Sequence, residues 1–165
     1  MPDAATRTRN ISRLLCVLLA LLVIIGDQIT KALVERSLPE GRLVPVLPGF
    51  FNLTHTTNTG VAFGILSGSP ASWKTGLLIV VSVALIFLVA SFVWRSQQLH
   101  WEVAVGLALV LGGALSNLAD RIRAGQVVDF LDVYWRSYHW YAFNLADSAI
   151  VVGAGFLVIQ IILSE

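Results

Sequence analysis

Three aspartates stand within an apolar stretch of the chain and raise the question of what they do there. The stretch VVDFLDVYWRSYHWYAFNLADSAIVVGAGF carries Asp129, Asp132 and Asp147, although only 13% of all residues are charged. Two carboxylates close together in a partly apolar site cannot both ionise cheaply, so they share one proton near neutral pH. One can then take a proton from water while the other supplies one to a carbonyl oxygen or a departing amine. Asp129 and Asp147 are therefore candidates for a dyad that hydrolyses peptide bonds.

Helix capping is the alternative explanation for these carboxylates. Aspartate is a favoured residue at helix N-termini, and Asp132 is expected to cap or solvate the connection between two helices. Capping alone explains Asp129 and Asp147 less well, because Asp27 and Asp120 fall at the same side of the apolar runs. Carboxylates at membrane depth are costly and need partners or a purpose.

Other polar residues recur at helical spacing near these aspartates. Asp27 and Lys31 are four residues apart, so they share a helix face, either as a structural ion pair or as a pair that also shapes an adjacent site. Asn117 and Arg121 have the same spacing and could present an amide and a guanidinium to the carbonyls of an extended peptide. Asp120 could instead hold Arg121 in place.

Four long apolar runs must position these side chains. Hydrophobic residues make up 56% of the 165 residues, and the mean hydropathy is +0.78, which indicates a membrane protein. A helix needs roughly 20 apolar residues to cross the hydrocarbon core. We therefore predict an all-α membrane protein that forms one domain over residues 1–165, with spans at about 14–34, 73–94, 101–118 and 143–163.

The segment of about 36–72, between the first two runs, has a different pattern. Proline and glycine punctuate it, and FFNLTHT alternates apolar with polar residues, which predicts a small β-rich surface segment between helices 1 and 2. Within it, Asn58 and Gly60 offer a side-chain amide beside an approachable backbone. We expect this segment to lie on the outer membrane surface and to help hold a substrate.

Composition excludes several classes of partner. A net charge of +1 offers no basic stripe for nucleic acid. Cys16 is the only cysteine, so the chain forms no internal disulfide and no thiolate cluster. His55, His100 and His139 lack the short spacing of a helical zinc motif. We expect no metal ligands and no cofactor.

Basic residues give conflicting signals about orientation. Four spans place both termini on one side, and a compact arginine group precedes the first span, which favours cytoplasmic termini. A simple count opposes this, with Arg7, Arg9, Arg13 and Arg95 on the terminal side and Lys31, Arg36, Arg42, Lys74, Arg121, Arg123 and Arg136 on the other. Cytoplasmic termini remain the expectation, because several of the opposite cations can have duties within a site.

Five motifs in order resemble those of the lipoprotein signal peptidase family, also called signal peptidase II, which are bacterial membrane aspartyl endopeptidases. The resemblance covers nearly the whole chain. It is carried by DQITK (27–31), NTGVAFG (58–64), GGALSNLADR (112–121), VVDFLDV (127–133) and FNLADSAI (143–150).

The resemblance implies roles for individual residues. Asp129 and Asp147 would be the catalytic dyad. Asn58, Asn117, Arg121 and Asn144 would line the site, and Asp27, Lys31 and Asp120 would support it. The implied substrate is a prolipoprotein whose cysteine carries diacylglycerol, cut on the amino side of that cysteine. The resemblance also implies globomycin-type peptide inhibitors, contact with membrane lipid, cytoplasmic termini and a site near the periplasmic face of the bacterial inner membrane. We expect a monomer.

Two other functions are the alternatives. A metal-dependent lipid headgroup transferase could bind magnesium through aspartates, but its acids should cluster on one helix, whereas here they are spread over several segments. A small proton-coupled transporter could relay protons through the same acids. Transporters often contain an internal repeat, and none links the two halves of this sequence.

Overall fold

A computed structural model of the chain describes residues 4–60, 71–96 and 100–163. Within these ranges, each half of the chain contains a helix, two strands and a second helix, in that order. The elements are α1 (Ala4–Ser37), β1 (Leu43–Leu47), β2 (Phe51–Asn58), α2 (Ala71–Arg95), α3 (Trp101–Ala124), β3 (Val127–Trp135), β4 (Tyr138–His139) and α4 (Leu145–Leu163).

All four helices are long and apolar enough to cross a membrane. The helix α3 is the most buried of them, while α1, α2 and α4 leave most of their apolar side chains exposed, as helices facing lipid do. The helix α3 therefore occupies the centre of the bundle. The four predicted runs correspond to these four helices, although α1 and α3 extend beyond the predicted limits.

Glycines on α3 let the neighbouring helices approach its backbone. A Cβ atom added at Gly113 would lie 2.4 Å from the carbonyl oxygen of Ala146 on α4, and one added at Gly106 would lie 3.0 Å from that of Gly153. In a membrane, helices associate through close packing, because lipid is as apolar as their side chains and the hydrophobic effect does not drive them together. Small residues at such positions permit this close packing. The packing at Gly113 fixes the first turn of α4 against α3.

The helix α3 ends at a glycine that leads directly into a strand. Gly125 adopts φ 71°, a left-handed conformation, and its N–H donates to the carbonyl oxygen of Arg121 at 3.0 Å. The carbonyl oxygen of Gly125 in turn accepts a hydrogen bond from the hydroxyl of Thr75 near the start of α2. This cap joins the ends of α2 and α3 beside the beginning of β3.

The strands form one antiparallel sheet in the order β1-β2-β3-β4. Its central pair, β2 and β3, aligns Asn52 with Asp132 and Asn58 with Val127. Sequence analysis placed the β-rich part only between helices 1 and 2, whereas β3 and β4 lie between α3 and α4. The reason is that residues 127–135 were taken as a short connection, but they complete the sheet by pairing with residues 69 to 82 positions earlier in the chain.

The predicted surface segment of 36–72 is only partly described, because residues 61–70 lie outside the described ranges. Its first part forms β1 and β2 as the alternation in FFNLTHT predicted. Under the sheet, Val128 and Phe130 of β3 pack against Val34 of α1. This small apolar core seats the sheet on the end of the bundle that carries the candidate acids.

Candidate active site

Asp147 lies in the first turn of α4, where Asn144 is the N-cap residue. The Asp147 N–H donates to Asn144 Oδ1 at 2.8 Å, and the Asn144 N–H donates back to Asp147 Oδ2 at 3.3 Å. This reciprocal pair is a capping box with aspartate in the third position. Capping therefore explains part of the role of Asp147. The other carboxylate oxygen of Asp147, Oδ1, takes no part in the cap and accepts a hydrogen bond from Asn117 Nδ2 at 2.8 Å.

Asp129 lies on β3 and is 2% exposed. Its Oδ2 accepts a hydrogen bond from Asn58 Nδ2 at 3.0 Å, and its Oδ1 accepts one from Asn144 Nδ2 at 2.8 Å. The amide of Asn58 is itself oriented, because its oxygen accepts the N–H of Gly60 at 2.9 Å. Both oxygens of Asp129 are thus held by side-chain amides from different parts of the fold.

Asn144 links the two candidate carboxylates. It is fully buried, its side-chain nitrogen donates to Asp129, and its side-chain oxygen and backbone N–H bind Asp147. One amide therefore fixes a strand carboxylate and a helix carboxylate relative to each other. That Asp129 and Asp147 act as a pair stays a prediction.

Burial sets the protonation of Asp129. Loss of solvent around the carboxyl group and the charge of Asp147 raise its pKa to about 6, against the opposing effect of hydrogen bonds from Asn58 and Asn144 and of the charge of Lys31. A carboxyl group with this pKa holds or releases a proton near neutral pH. That property suits general acid–base chemistry.

Lys31 lies behind the two carboxylates and is 3% exposed. Its ammonium group donates to Asp27 Oδ2 and Asp120 Oδ2, each at 2.6 Å, and to Asn117 Oδ1 at 2.9 Å. All three donors are used, so this buried cation is fully paired. Through Asn117 it also orients the amide that reaches Asp147.

Asp27 extends this network to α4. It is fully buried, and its Oδ1 accepts the N–H of Ala146 at 2.9 Å, which is one of the free N–H groups in the first turn of α4. Its Oδ2 also accepts the hydroxyl of Ser116 at 2.7 Å. The Asp27–Lys31 pair is therefore more than an isolated ion pair, because it determines where the turn carrying Asp147 lies.

A cleft of about 600 Å³ opens in front of the two carboxylates. Most of its surface is apolar. The lining residues are Asn58, Gly60, Leu78, Arg121, Val127, Asp129, Trp140, Tyr141, Ala142, Phe143, Asp147, Ser148, Ile150, Val151 and Val152.

The structure divides the predicted site residues into two groups. Asn58, Gly60 and Arg121 line the cleft with the two carboxylates, whereas Asp27, Lys31, Asn117, Asp120 and Asn144 lie behind it. The suggestion that Asn117 presents its amide to a peptide is wrong, because both ends of that amide are used within the protein.

The role suggested for Asp120 also changes. Its described partners are Lys31, Gln28 and Arg123, and the Arg121 guanidinium donates instead to the carbonyl oxygen of Asn117 at 3.3 Å. Sequence analysis missed Gln28, which donates to both Asp120 and Ser116. The DQITK motif contained it, but only the helix rotation shows that its amide reaches α3.

Asp132 was expected to cap or solvate the connection between two helices, and that expectation is wrong. It is 5% exposed and is bound by Asn52 and His139 on the sheet. The alternation of side chains along β3 explains this, because Asp129 and Asp132 are three residues apart and therefore lie on opposite faces of the strand. Among the described residues, no group of three or more His, Cys, Asp or Glu side chains is placed to hold a metal ion.

Comparison with known proteins gives consistent matches. The family model described as signal peptidase (SPase) II matches residues 19–163. The chain is 42% identical over 162 residues to the lipoprotein signal peptidase of Solibacter usitatus (strain Ellin6076), covering 98% of this chain and 94% of that protein. It is 47% identical over 145 residues to the lipoprotein signal peptidase of Syntrophotalea carbinolica, covering 86% and 87%.

Two solved structures of bacterial membrane enzymes, both determined by the in meso method, have a similar fold. The one at 2.3 Å resolution has a TM-score of 0.80 and 32% identity, covering 89% of this chain and 87% of its own. The one at 1.9 Å resolution has a TM-score of 0.77 and 30% identity, covering 88% and 91%.

Proposed function

Because this chain belongs to the signal peptidase II family, we propose that it removes the signal peptides of lipid-modified bacterial prolipoproteins, with Asp129 and Asp147 as its catalytic dyad. The family match does not support the lipid headgroup transferase or the transporter. The cut falls on the amino side of the cysteine that carries diacylglycerol. The enzyme is an aspartic endopeptidase and a single integral membrane domain.

The shared contact with Asn144 is the observation that carries the dyad. The Asn144 side chain and backbone touch both carboxylates, and both carboxylates line the same cleft. Two acids so held form one titrating unit that keeps a single proton over part of the pH range. Such a unit contains the base and the acid that peptide hydrolysis needs.

The chemistry follows from that single proton. The ionised member takes a proton from water, whose oxygen attacks the scissile carbonyl carbon, and the neutral member gives its proton to the carbonyl oxygen. A tetrahedral diol results. The carboxyl group that received the water proton then transfers it to the amide nitrogen, while the other carboxylate, now ionised, takes a proton from a hydroxyl of the diol. The C–N bond breaks, the signal peptide keeps the new carboxyl group, the amine leaves with the lipidated cysteine, and the dyad again holds one proton.

The rest of the cleft fits the two parts of the substrate. The Arg121 guanidinium lines the cleft and can donate hydrogen bonds to carbonyl oxygens of an extended peptide. Leu78 of α2 and Val151 and Val152 of α4 give the cleft an apolar side between helices, which suits acyl chains and a signal-peptide helix arriving from lipid. Peptides of the globomycin type are expected to compete for this cleft.

We also propose that the protein lies in the bacterial inner membrane as a multi-pass monomer with cytoplasmic termini and the cleft near the periplasmic face. The contacts of two of these cations weaken the charge count that opposed this orientation. The Lys31 ammonium group is bound by three buried side chains, and Arg121 lines the cleft. Neither cation is therefore a free determinant of orientation.

The test is cleavage of a lipidated precursor by purified protein in detergent, with excess EDTA present. Asp129→Asn and Asp147→Asn should each lower kcat by roughly 10²- to 10⁴-fold, the range that general acid–base groups contribute. The double variant should be hardly worse than either single one, because the two residues act as a unit. Glu102→Gln, at the opposite end of α3, is the matched control and should cleave normally.

Robust turnover by either single aspartate variant would show that the dyad is wrongly assigned. Loss of activity with EDTA, restored by magnesium or zinc, would favour a metal-dependent reaction. Thermal unfolding and gel filtration of each variant establish that the expected losses come from chemistry and not from misfolding.

A further inference from the structure

A further buried carboxylate, Asp132, lies on the sheet and is not hydrogen-bonded to Asp129 or Asp147 or to the side chains that bind them. Its Oδ2 accepts a hydrogen bond from Asn52 Nδ2 at 2.7 Å, and Nδ1 of His139 lies 2.9 Å and 3.0 Å from its two oxygens. Asn52 belongs to β2 and His139 to β4. One carboxylate on β3 thus holds both neighbouring strands.

An aromatic stack extends this cluster to the turn between β1 and β2. The rings of Tyr134 and His139 are stacked, with centroids 4.9 Å apart and an interplanar angle of 9°. The Tyr134 hydroxyl oxygen accepts the N–H of Gly49 at 2.6 Å. The imidazole is therefore fixed in both direction and plane.

The strand β4 depends on this fixation, because it contains only two residues. Two pairs, Tyr134 with His139 and Trp135 with Tyr138, align it with β3. So short a pairing is marginal by itself, and the imidazole side chain adds a charge-assisted contact to a buried acid.

The residues that follow His139 form one wall of the cleft. We call Trp140, Tyr141, Ala142 and Phe143 the wall segment, and all four line the cleft. Its far end is anchored by backbone pairing between Phe143 and Leu131 at 2.8 Å and 3.1 Å. Its near end has the Trp140 N–H bonded to the Val133 carbonyl oxygen at 2.8 Å, directly after His139.

We propose that the contact between Asp132 and His139 is a positioning pair that sets the near end of the wall segment and so controls how tightly the cleft binds its substrate. The inference rests on the proposed function. Neither side chain is a catalytic residue, since neither lines the cleft. The pair acts on binding through Trp140 and Tyr141.

Two amide substitutions separate this role from a general effect of changing the histidine. Asparagine places its side-chain N–H close to the position of Nδ1, so His139→Asn keeps the donor to Asp132. Glutamine places its N–H further out, near the position of Nε2, so His139→Gln loses that donor. The side chain of His139 is 46% exposed, so both polar replacements are compatible with folding.

The experiment compares KM and kcat for a lipidated precursor, and the Kd of the same precursor in an Asp129→Asn background that does not hydrolyse it. His139→Gln should raise KM and Kd by roughly tenfold, a loss typical of one hydrogen bond to a charged group, with kcat within about twofold. His139→Asn should stay within about threefold of the parent. His100→Gln, at an exposed site beside α3, should change nothing.

Equal Kd values for the glutamine and asparagine variants would overturn the inference, and so would a fall in kcat with KM unchanged. Failure of the parent protein to cleave any lipidated precursor would instead contradict the proposed function. The two failures are therefore distinguishable within the same set of proteins.

Discussion

At the scale of single residues, the site is a chain of amides and charges that orients two acids. The Lys31 ammonium reaches Asn117, Asn117 reaches Asp147, and Asn144 joins Asp147 to Asp129. Each amide can donate from its nitrogen and accept at its oxygen, so it transmits orientation from one charge to the next. The buried cation also limits the cost of holding several carboxylates together away from water.

Spacing in the sequence indicates which residues share a helix face but not how their side chains are directed. Asn117 and Arg121 share a helix face by spacing, yet Asn117 is turned into the protein and Arg121 into the cleft. The rotation of α3 about its axis decides this, and that rotation depends on packing against α1 and α4. Local spacing carries no information about it.

The pH dependence of catalysis tests the protonation of the dyad. With the pKa of Asp129 raised to about 6 by burial and by Asp147, a rise in pH removes the one shared proton and with it the general acid. We expect kcat/KM to fall above pH 6, approaching tenfold per pH unit. Bound substrate excludes water and raises the pKa further, so the fall in kcat should lie at higher pH.

The measurement uses initial rates between pH 5 and pH 8 in a non-ionic detergent, because charged surfaces alter the local proton concentration. Glu102→Gln should reproduce the parent profile. A kcat/KM that is constant over this range, or that rises to pH 8, would contradict a shared proton with an apparent pKa near 6.

At the scale of elements, the catalytic geometry depends on how α4 seats against α3. Gly113 allows the carbonyl of Ala146 to approach, and Ala146 directly precedes Asp147. The N–H of the same residue is held by Asp27 of α1. Three helices therefore fix one turn, and a small displacement of α4 must move an acid.

A methyl group at Gly113 tests this dependence. Gly113→Ala places a Cβ 2.4 Å from the backbone oxygen of Ala146, so α4 must shift. Overpacking of this kind costs about 1–3 kcal/mol, and a shift of about 1 Å in a catalytic group can cost 10²-fold in rate. We expect kcat/KM to fall by about 10- to 100-fold and the thermal unfolding temperature to drop.

Gly155→Ala is the matched control on α4, because an added Cβ there meets no atom within 4 Å. It should cleave at the parent rate within about twofold and be as stable, since alanine favours helix over glycine. Parent-like activity in Gly113→Ala would mean that the position of Asp147 does not depend on this contact.

The strand β3 shows why one element escaped sequence analysis. VVDFLDVYW has no strict alternation and lies between two helices of the bundle, which suggested a short connection. Its partner β2 is distant in the chain, and pairing of that kind leaves no local pattern. By contrast, the alternation in FFNLTHT predicted β2 correctly, and the long apolar runs predicted all four helices.

At the scale of the whole molecule, the two ends of the bundle differ. One end carries the sheet, the cleft and the buried acids. At the other, the Arg13 guanidinium donates to the carbonyl oxygens of Trp94 and Ser96 at the end of α2, and it lies 5.2 Å from the centre of the Trp94 ring. A cation there complements the negative end of the α2 dipole.

This polarity makes orientation decisive for the proposed function, because only a cleft on the periplasmic side can meet a translocated precursor. Two exposed positions at opposite ends report on it, Ser37 at the end of α1 and His100 before α3. With Cys16 replaced by serine, the variants Ser37→Cys and His100→Cys each carry a single thiol.

We expect a membrane-impermeant maleimide to label Ser37→Cys in intact cells whose outer membrane has been permeabilised. His100→Cys should react only after the inner membrane is broken, because the same topology places it in the cytoplasm. Activity of both variants on a lipidated precursor shows that the thiols report on folded protein. The reverse pattern would place the cleft in the cytoplasm. Since the acids, the wall segment and the sheet all lie at that end of the bundle, it would contradict the proposal that cleavage takes place at the periplasmic face.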